Sequence, residues 1–116
     1  MDLPPYFPTR GHLLLCTGPR CARVQSARLF RDASDALERR GLSYYKEGGS
    51  VRLSEAGCLG ACGHGPTLAC YRGLSPDPGV RLEQAWYAAA DLALVLRVAA
   101  SIHDGTPLPP EHRYDL

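Results

Sequence analysis

An α/β domain is the fold class this sequence predicts, with a small mixed sheet of about four strands and two main helices packed on it. Three observations carry that expectation. Apolar residues at helical spacing mark two segments, short apolar or alternating runs mark the segments around them, and Gly- and Pro-rich stretches separate the two kinds. At 116 residues the chain is long enough for one domain with a real core and too short for two of ordinary size. The Pro-rich ends, residues 1–10 and 107–116, read as extended tails on a domain of residues 11–106.

The first element follows Gly11, where His12-Leu13-Leu14-Leu15-Cys16 is an apolar run bounded by Thr17-Gly18-Pro19, as expected of a buried strand ending in a turn. Cys16 therefore sits where strand gives way to loop. From about Val24 to Arg40, Leu29, Phe30, Ala33, Ala36 and Leu37 recur at helical spacing, and Gly41 is a natural C-terminal stop. Val51-Arg52-Leu53 alternates like a half-buried strand, and Thr67 to Tyr71 resembles another, with a Gly-rich loop between them. Ser75-Pro76-Asp77-Pro78-Gly79 is a turn, after which Val80 to Tyr87 supplies a further strand. Asp91 is placed to cap a second helix reaching about His103, which Gly105 and Pro107 end. Strand, helix, strand, strand, strand, helix in this order outlines a thioredoxin-like fold.

Thirteen basic side chains against 12 acidic ones give a formal net charge of +1, spread along the chain without a basic stripe. Nucleic acid is therefore not an expected partner. The N-terminus shows no basic segment followed by an apolar one, so no secretory signal is expected. The longest apolar stretch, Leu92 to Ala100, is broken by Arg97 and falls far short of the roughly 20 residues a membrane span needs. The reading is a soluble, cytoplasmic protein. Five cysteines in such a chain call for metal or redox chemistry rather than a disulfide framework, because the cytosol keeps thiols reduced.

Four of the five fall into two pairs. Cys16 and Cys21 enclose four residues, Cys58 and Cys62 enclose three, and 36 residues separate the pairs. Thiolate sulfur is a soft ligand that favours iron-sulfur clusters, zinc or copper(I). The pair spacings alone leave zinc open. Glycines at Gly18, Gly57, Gly60, Gly63 and Gly65 favour a bulkier inorganic core, since backbone without Cβ can approach it and turn N–H groups toward it. Arg20, Arg23 and His64 flank the pairs and are read as solvated side chains that could also face its negative charge. A Rieske centre would require a second histidine at the other pair, and His12 lies on a strand four residues before Cys16.

Leu15-Cys16 with Cys21, and then Gly57-Cys58-Leu59-Gly60-Ala61-Cys62-Gly63-His64-Gly65-Pro66, resemble the thioredoxin-like [2Fe-2S] ferredoxins. Trp86-Tyr87 and His103-Asp104-Gly105-Thr106-Pro107 are similar to that family too, so the resemblance runs from His12 to Pro107. It implies a single [2Fe-2S] cluster near the surface on Cys16, Cys21, Cys58 and Cys62, and one-electron transfer with no substrate chemistry of its own. It also implies redox partner proteins such as a reductase or oxidoreductase, and a homodimer. The same module occurs as the small cluster-bearing subunit of respiratory complex I, whose cysteine gaps are similar to these, although only 15 residues precede Cys16 here. The stretch from Tyr71 to Ala85 departs from the family in being longer and more polar.

Two further readings stand beside this one: a structural zinc module that mediates protein contacts, and a cluster-bearing subunit of a larger oxidoreductase. A thiol oxidoreductase is disfavoured by the absence of a Cys-x-x-Cys motif. Cys70, the cysteine left over, is expected to pack as a small buried hydrophobe, and burial is likewise expected of Trp86 and Tyr87. Leu59, Ala61 and Leu68 are expected to keep water from the inner side of the cysteine site, with Thr17 to Arg20 and Gly63 to Pro66 at its outer edge.

Overall fold

The computed structural model describes all residues except 1, 20–24, 61 and 74–81, and the Cys62 side chain also lies outside the described residues. The elements run β1 (Gly11–Cys16), α1 (Ser26–Arg39), β2 (Val51–Ala56), a 3-10 turn (Cys62–His64), β3 (Leu68–Gly73), β4 (Leu82–Tyr87) and α2 (Leu92–Asp104). The sheet order is β2-β1-β3-β4. β1 and β2 are parallel, and β3 is antiparallel to both β1 and β4, so the sheet is mixed as expected.

Alternation along the strands decides which face is buried. Leu13 and Leu15 of β1 stand opposite Cys70 and Leu68 of β3, which in turn stand opposite Ala85 and Tyr87 of β4. All six are completely buried, and they form one core with Ala33 and Leu37 of α1 and with Val95 and Val98 of α2. Both helices therefore lie on the same side of the sheet. The intervening residues His12, Leu14, Tyr71 and Trp86 point the other way and are half-buried. There the Trp86 and Tyr71 rings meet edge to face at 6.3 Å, and His12 Nε2 lies 2.7 Å from Ser54 Oγ.

Each helix ends where its sequence says it should. At α1, Gly41 takes a left-handed φ of 71°, its N–H bonds Glu38 O at 3.0 Å, and the Leu42 N–H bonds Leu37 O at 2.9 Å. This is the paired arrangement that satisfies a helix's last carbonyls. At α2, the Asp91 carboxylate accepts from the Leu94 N–H at 2.8 Å, and Gly105 at φ 72° closes the far end. The expected first helix began at Val24, which lies outside the described residues, as do the turn Ser75 to Gly79 and the first two residues of the expected last strand. β2 runs on to Ala56, three residues beyond the apolar signal at Leu53, because every position from Val51 to Ala56 pairs with β1.

Cys70 is packed in the core, as expected, and so is Tyr87, whereas Trp86 is half-exposed on the open face. The C-terminal residues, expected to trail from the domain, instead lie along β4. Leu108 and Pro109 are buried, and the Tyr87 hydroxyl donates to Pro109 O at 2.9 Å. The Ala88 N–H donates to His112 O at 2.9 Å and the Tyr114 N–H to Trp86 O at 3.0 Å. The outer edge of β4 is thereby paired from Trp86 to Ala88. At the other terminus residues 2–10 are exposed, held by the Arg10 N–H to Ser50 O at 2.7 Å and by an edge-to-face contact of Phe7 with Tyr44.

Burial pushes the Cys70 thiol from 9.0 up to about 12, and burial together with the neighbouring Cys70 pushes the Tyr87 phenol from 10.0 up to about 12. Both are neutral when protonated, so above pH 9 the unfolded chain releases protons that the folded one keeps. Their contribution to stability is complete below pH 9 and lost as the pH rises toward 12. The urea midpoint should fall over that range. Cys70→Ala should flatten the fall by at most the slope of one proton, about 1.4 kcal/mol per pH unit. An unchanged slope would mean that Cys70 is not buried as described.

Candidate metal centre at the carboxyl end of the sheet

β1 and β2 run parallel, so their carboxyl ends emerge side by side, with Cys16 in register with Ala56. Thr17 binds both ends together: its N–H donates to Ala56 O at 2.9 Å and its hydroxyl to the same oxygen at 3.1 Å. On the other side the Cys16 N–H donates to Thr67 O at 2.9 Å, which ties the exit of β1 to the entry of β3. Cys58 lies two residues beyond Ala56.

The loops that leave these strands touch. A Cβ on Gly18 would stand 3.3 Å from Cys58 N and 3.4 Å from Cys58 Cα, so the first loop rests on the backbone of the second at a distance only glycine allows without a shift. Gly60, at φ 101°, turns the second loop back through a conformation that L side chains rarely adopt. The two described thiols at this site differ in exposure. Cys16 is fully buried beneath the loops and Cys58 is exposed at their outer edge.

The second loop is anchored from behind. The Ala89 N–H donates to His64 O at 2.6 Å and the Ala90 N–H to Pro66 O at 2.9 Å. The peptide between Gly65 and Pro66 is cis. Pro66, Thr67 and Leu68 are buried, Leu59 is half-buried and Gly63 and His64 are exposed, so the expected outer edge from Gly63 to Pro66 is open at its start and closed at Pro66, while Leu68 belongs to the main core opposite Leu15. Ala61 and Arg20 lie outside the described residues.

Of the four predicted ligands, the structure brings the loop of Cys16 onto that of Cys58. Cys21 and the Cys62 side chain lie outside the described residues, although the Cys62 backbone opens the 3-10 turn. Among the described residues no three His, Cys, Asp or Glu side chains gather into a metal-binding group. His12 is engaged with Ser54 on the open face of the sheet, where burial and then Arg52 hold its pKa below the usual value.

One residue at this end of the molecule carries no signal in the sequence. Ser26, the first residue of α1, is fully buried, and among the described residues its hydroxyl is the one buried side-chain nitrogen or oxygen without a hydrogen-bond partner. A serine at the head of an amphipathic helix reads as an ordinary helix start. Only packing distinguishes it.

The fold is similar to solved structures of the thioredoxin-like [2Fe-2S] ferredoxin from Aquifex aeolicus. The wild-type protein aligns with a TM-score of 0.61 and 19% identity over 86% of this chain and 92% of that one. A cysteine-to-serine variant of it aligns with a TM-score of 0.65 and 17% identity over 91% of this chain and 99% of that one. The sequence matches no protein-family profile and no curated protein. The likeness establishes the thioredoxin-like fold that the order of elements predicts.

Thiol reactivity follows exposure as well as ionisation. In metal-free reduced protein, peptide mapping should show Cys58 modified by an alkylating reagent at least about tenfold faster than Cys16 or Cys70. Equal rates for Cys16 and Cys58 would contradict the inner and outer placement of the two thiols.

Proposed function

We propose that this chain is a one-electron carrier that holds a single [2Fe-2S] cluster on Cys16, Cys21, Cys58 and Cys62. The observation that carries the reading is the contact of Gly18 with the Cys58 backbone, at the end of the sheet where Thr17 bonds Ala56. It sets the loop that follows Cys16 against the backbone of Cys58. Soft sulfur donors on glycine-rich loops fit a cluster of iron and sulfide, and the solved structures of similar fold are of [2Fe-2S] ferredoxins.

Cys16 would supply a ligand from the dry inner side and Cys58 one from the solvent edge. Bound there, the cluster supplies a one-electron couple whose potential depends on charge, hydrogen bonds to sulfur and exposure. Leu68 and Pro66 exclude water from beneath, and the exposed loops leave an edge through which a partner can approach. This reading requires no general base or nucleophile, so no substrate chemistry is assigned to the chain. It goes with a cytoplasmic location, where thiolates stay reduced, and with reductase or oxidoreductase partners met through small interfaces below roughly 1,200 Å². The homodimer implied by the sequence resemblance belongs to the same proposal. Among the described residues no helix is long and apolar enough to cross a membrane.

Anaerobic purification followed by metal and sulfide analysis tests the reading. About two irons and two sulfides per chain, with visible absorption, are expected. A colourless protein with one zinc per chain would replace this function with a structural zinc module. Serine at any of Cys16, Cys21, Cys58 or Cys62 should lower cluster content or change its spectrum, while Cys70→Ala should leave both as they are.

A further inference from the structure

Ser26 occupies an unusual position for a buried hydroxyl. Native proteins rarely leave such a group unpartnered, yet none of the described residues bonds it. It lies on the buried side of α1 with Ala33, Ala36 and Leu37, the side that faces the sheet. Because α1 connects two parallel strands, it runs back against them, and its N-terminus stands at the carboxyl ends of β1 and β2. Cys16 and Cys58 emerge at that end. Cys21 precedes Ser26 by five residues. From the other side, a cleft of about 260 Å³ is lined by Gln25 and Leu29 of this helix start together with Pro66 and Ala90. Pro66 ends the second cysteine loop.

Arg28, Asp32 and Asp91 also line this cleft beside the helix start. Gln25 makes no side-chain capping bond and the first turn holds no acidic residue, so the positive end of the 14-residue helix is uncompensated by its own side chains. A hydroxyl donor beside it lacks only an acceptor.

We infer that the Ser26 hydroxyl donates a hydrogen bond to an anionic sulfur, thiolate or sulfide, of the cluster held by the cysteine loops, and so favours the reduced form. The inference rests on the function proposed above. Reduction adds one electron and one negative charge, and a donor aimed at sulfur stabilises the more negative state more strongly. Ser26 transfers no proton and no electron, and acts only through that bond.

Potentiometric titration of the purified holoprotein, followed by visible absorption with iron and sulfide content measured in parallel, tests this. Ser26→Ala should shift the reduction equilibrium about tenfold toward the oxidised form, which is about 59 mV more negative for a one-electron couple. Ser26→Gly removes the same hydroxyl and should shift it in the same direction. Ser26→Thr keeps a hydroxyl and should restore the wild-type potential. An orphaned hydroxyl of purely structural effect would behave differently: Ser26→Ala would raise the urea midpoint of the cluster-free chain and leave the potential unchanged. That result, at full iron and sulfide content, overturns the inference and leaves the electron-carrier reading intact. Zinc without iron in the wild-type protein overturns both.

Discussion

The two hydrogen bonds from Thr17 to Ala56 O, one from its N–H and one from its hydroxyl, tie the strand ends on which the geometry of the cysteine loops depends. They continue the parallel β1–β2 ladder one residue past its last pair, at the point where both strands turn into cysteine-bearing loops. A parallel pair requires a crossover, and α1 provides it on the face that Leu13, Leu15 and Val51 leave apolar. The antiparallel strands β3 and β4 then extend the sheet on the other side of β1, and α2 packs on the same face as α1. Contact between Gly18 and Cys58, 40 positions apart in the chain, is therefore a product of strand register. Among the described residues the second cysteine loop holds a three-residue 3-10 turn, Cys62–His64.

Register also decides what each described cysteine can do. Cys16 and Cys70 are both fully buried, but Cys70 sits within β3 opposite Leu13 and Ala85, surrounded by core side chains. Its thiol is held neutral by that burial, which suits packing and opposes ligation. Cys16 ends its strand, so the chain beyond it is free to turn toward the second loop. The Gly18 approach to Cys58 completes that turn, and any side chain at Gly18 would have to displace backbone rather than a flexible tip.

The C-terminal segment links this end of the sheet to its outer edge. Hydrogen bonds from Tyr87, Ala88 and Tyr114 hold residues 109–114 along β4, and the next residues, Ala89 and Ala90, hold the carbonyls of His64 and Pro66. The strap and the second cysteine loop thus share one short turn, in which Ala89 accepts a left-handed φ of 49°. Such a conformation costs a non-glycine residue energy, and the bonds on either side of it supply the constraint that maintains it.

Much of this was legible in the sequence because it rests on local pattern. Apolar periodicity located both helices and the strands, glycine and aspartate marked the helix ends, and thiol chemistry with the spacing of the pairs singled out Cys16, Cys21, Cys58 and Cys62. The last three residues of β2 carried no such signal, since Ser54, Glu55 and Ala56 are strand only because β1 pairs with them. The C-terminal residues looked like a tail for a similar reason. Prolines and charged side chains there conceal backbone bonds that require β4 to be in place. Ser26 is the clearest case: its identity suggests nothing, and it stands out only because it is buried, with no hydrogen-bond partner among the described residues, at the end of the sheet where the loops of Cys16 and Cys58 meet. Sequence by itself determined which side chains can bind a soft metal and which segments become helix and strand. Tertiary structure alone decided that the loop of Cys16 rests on that of Cys58 and that Ser26 is buried at that end, because strand register and burial are properties of paired, packed chain rather than of any one segment.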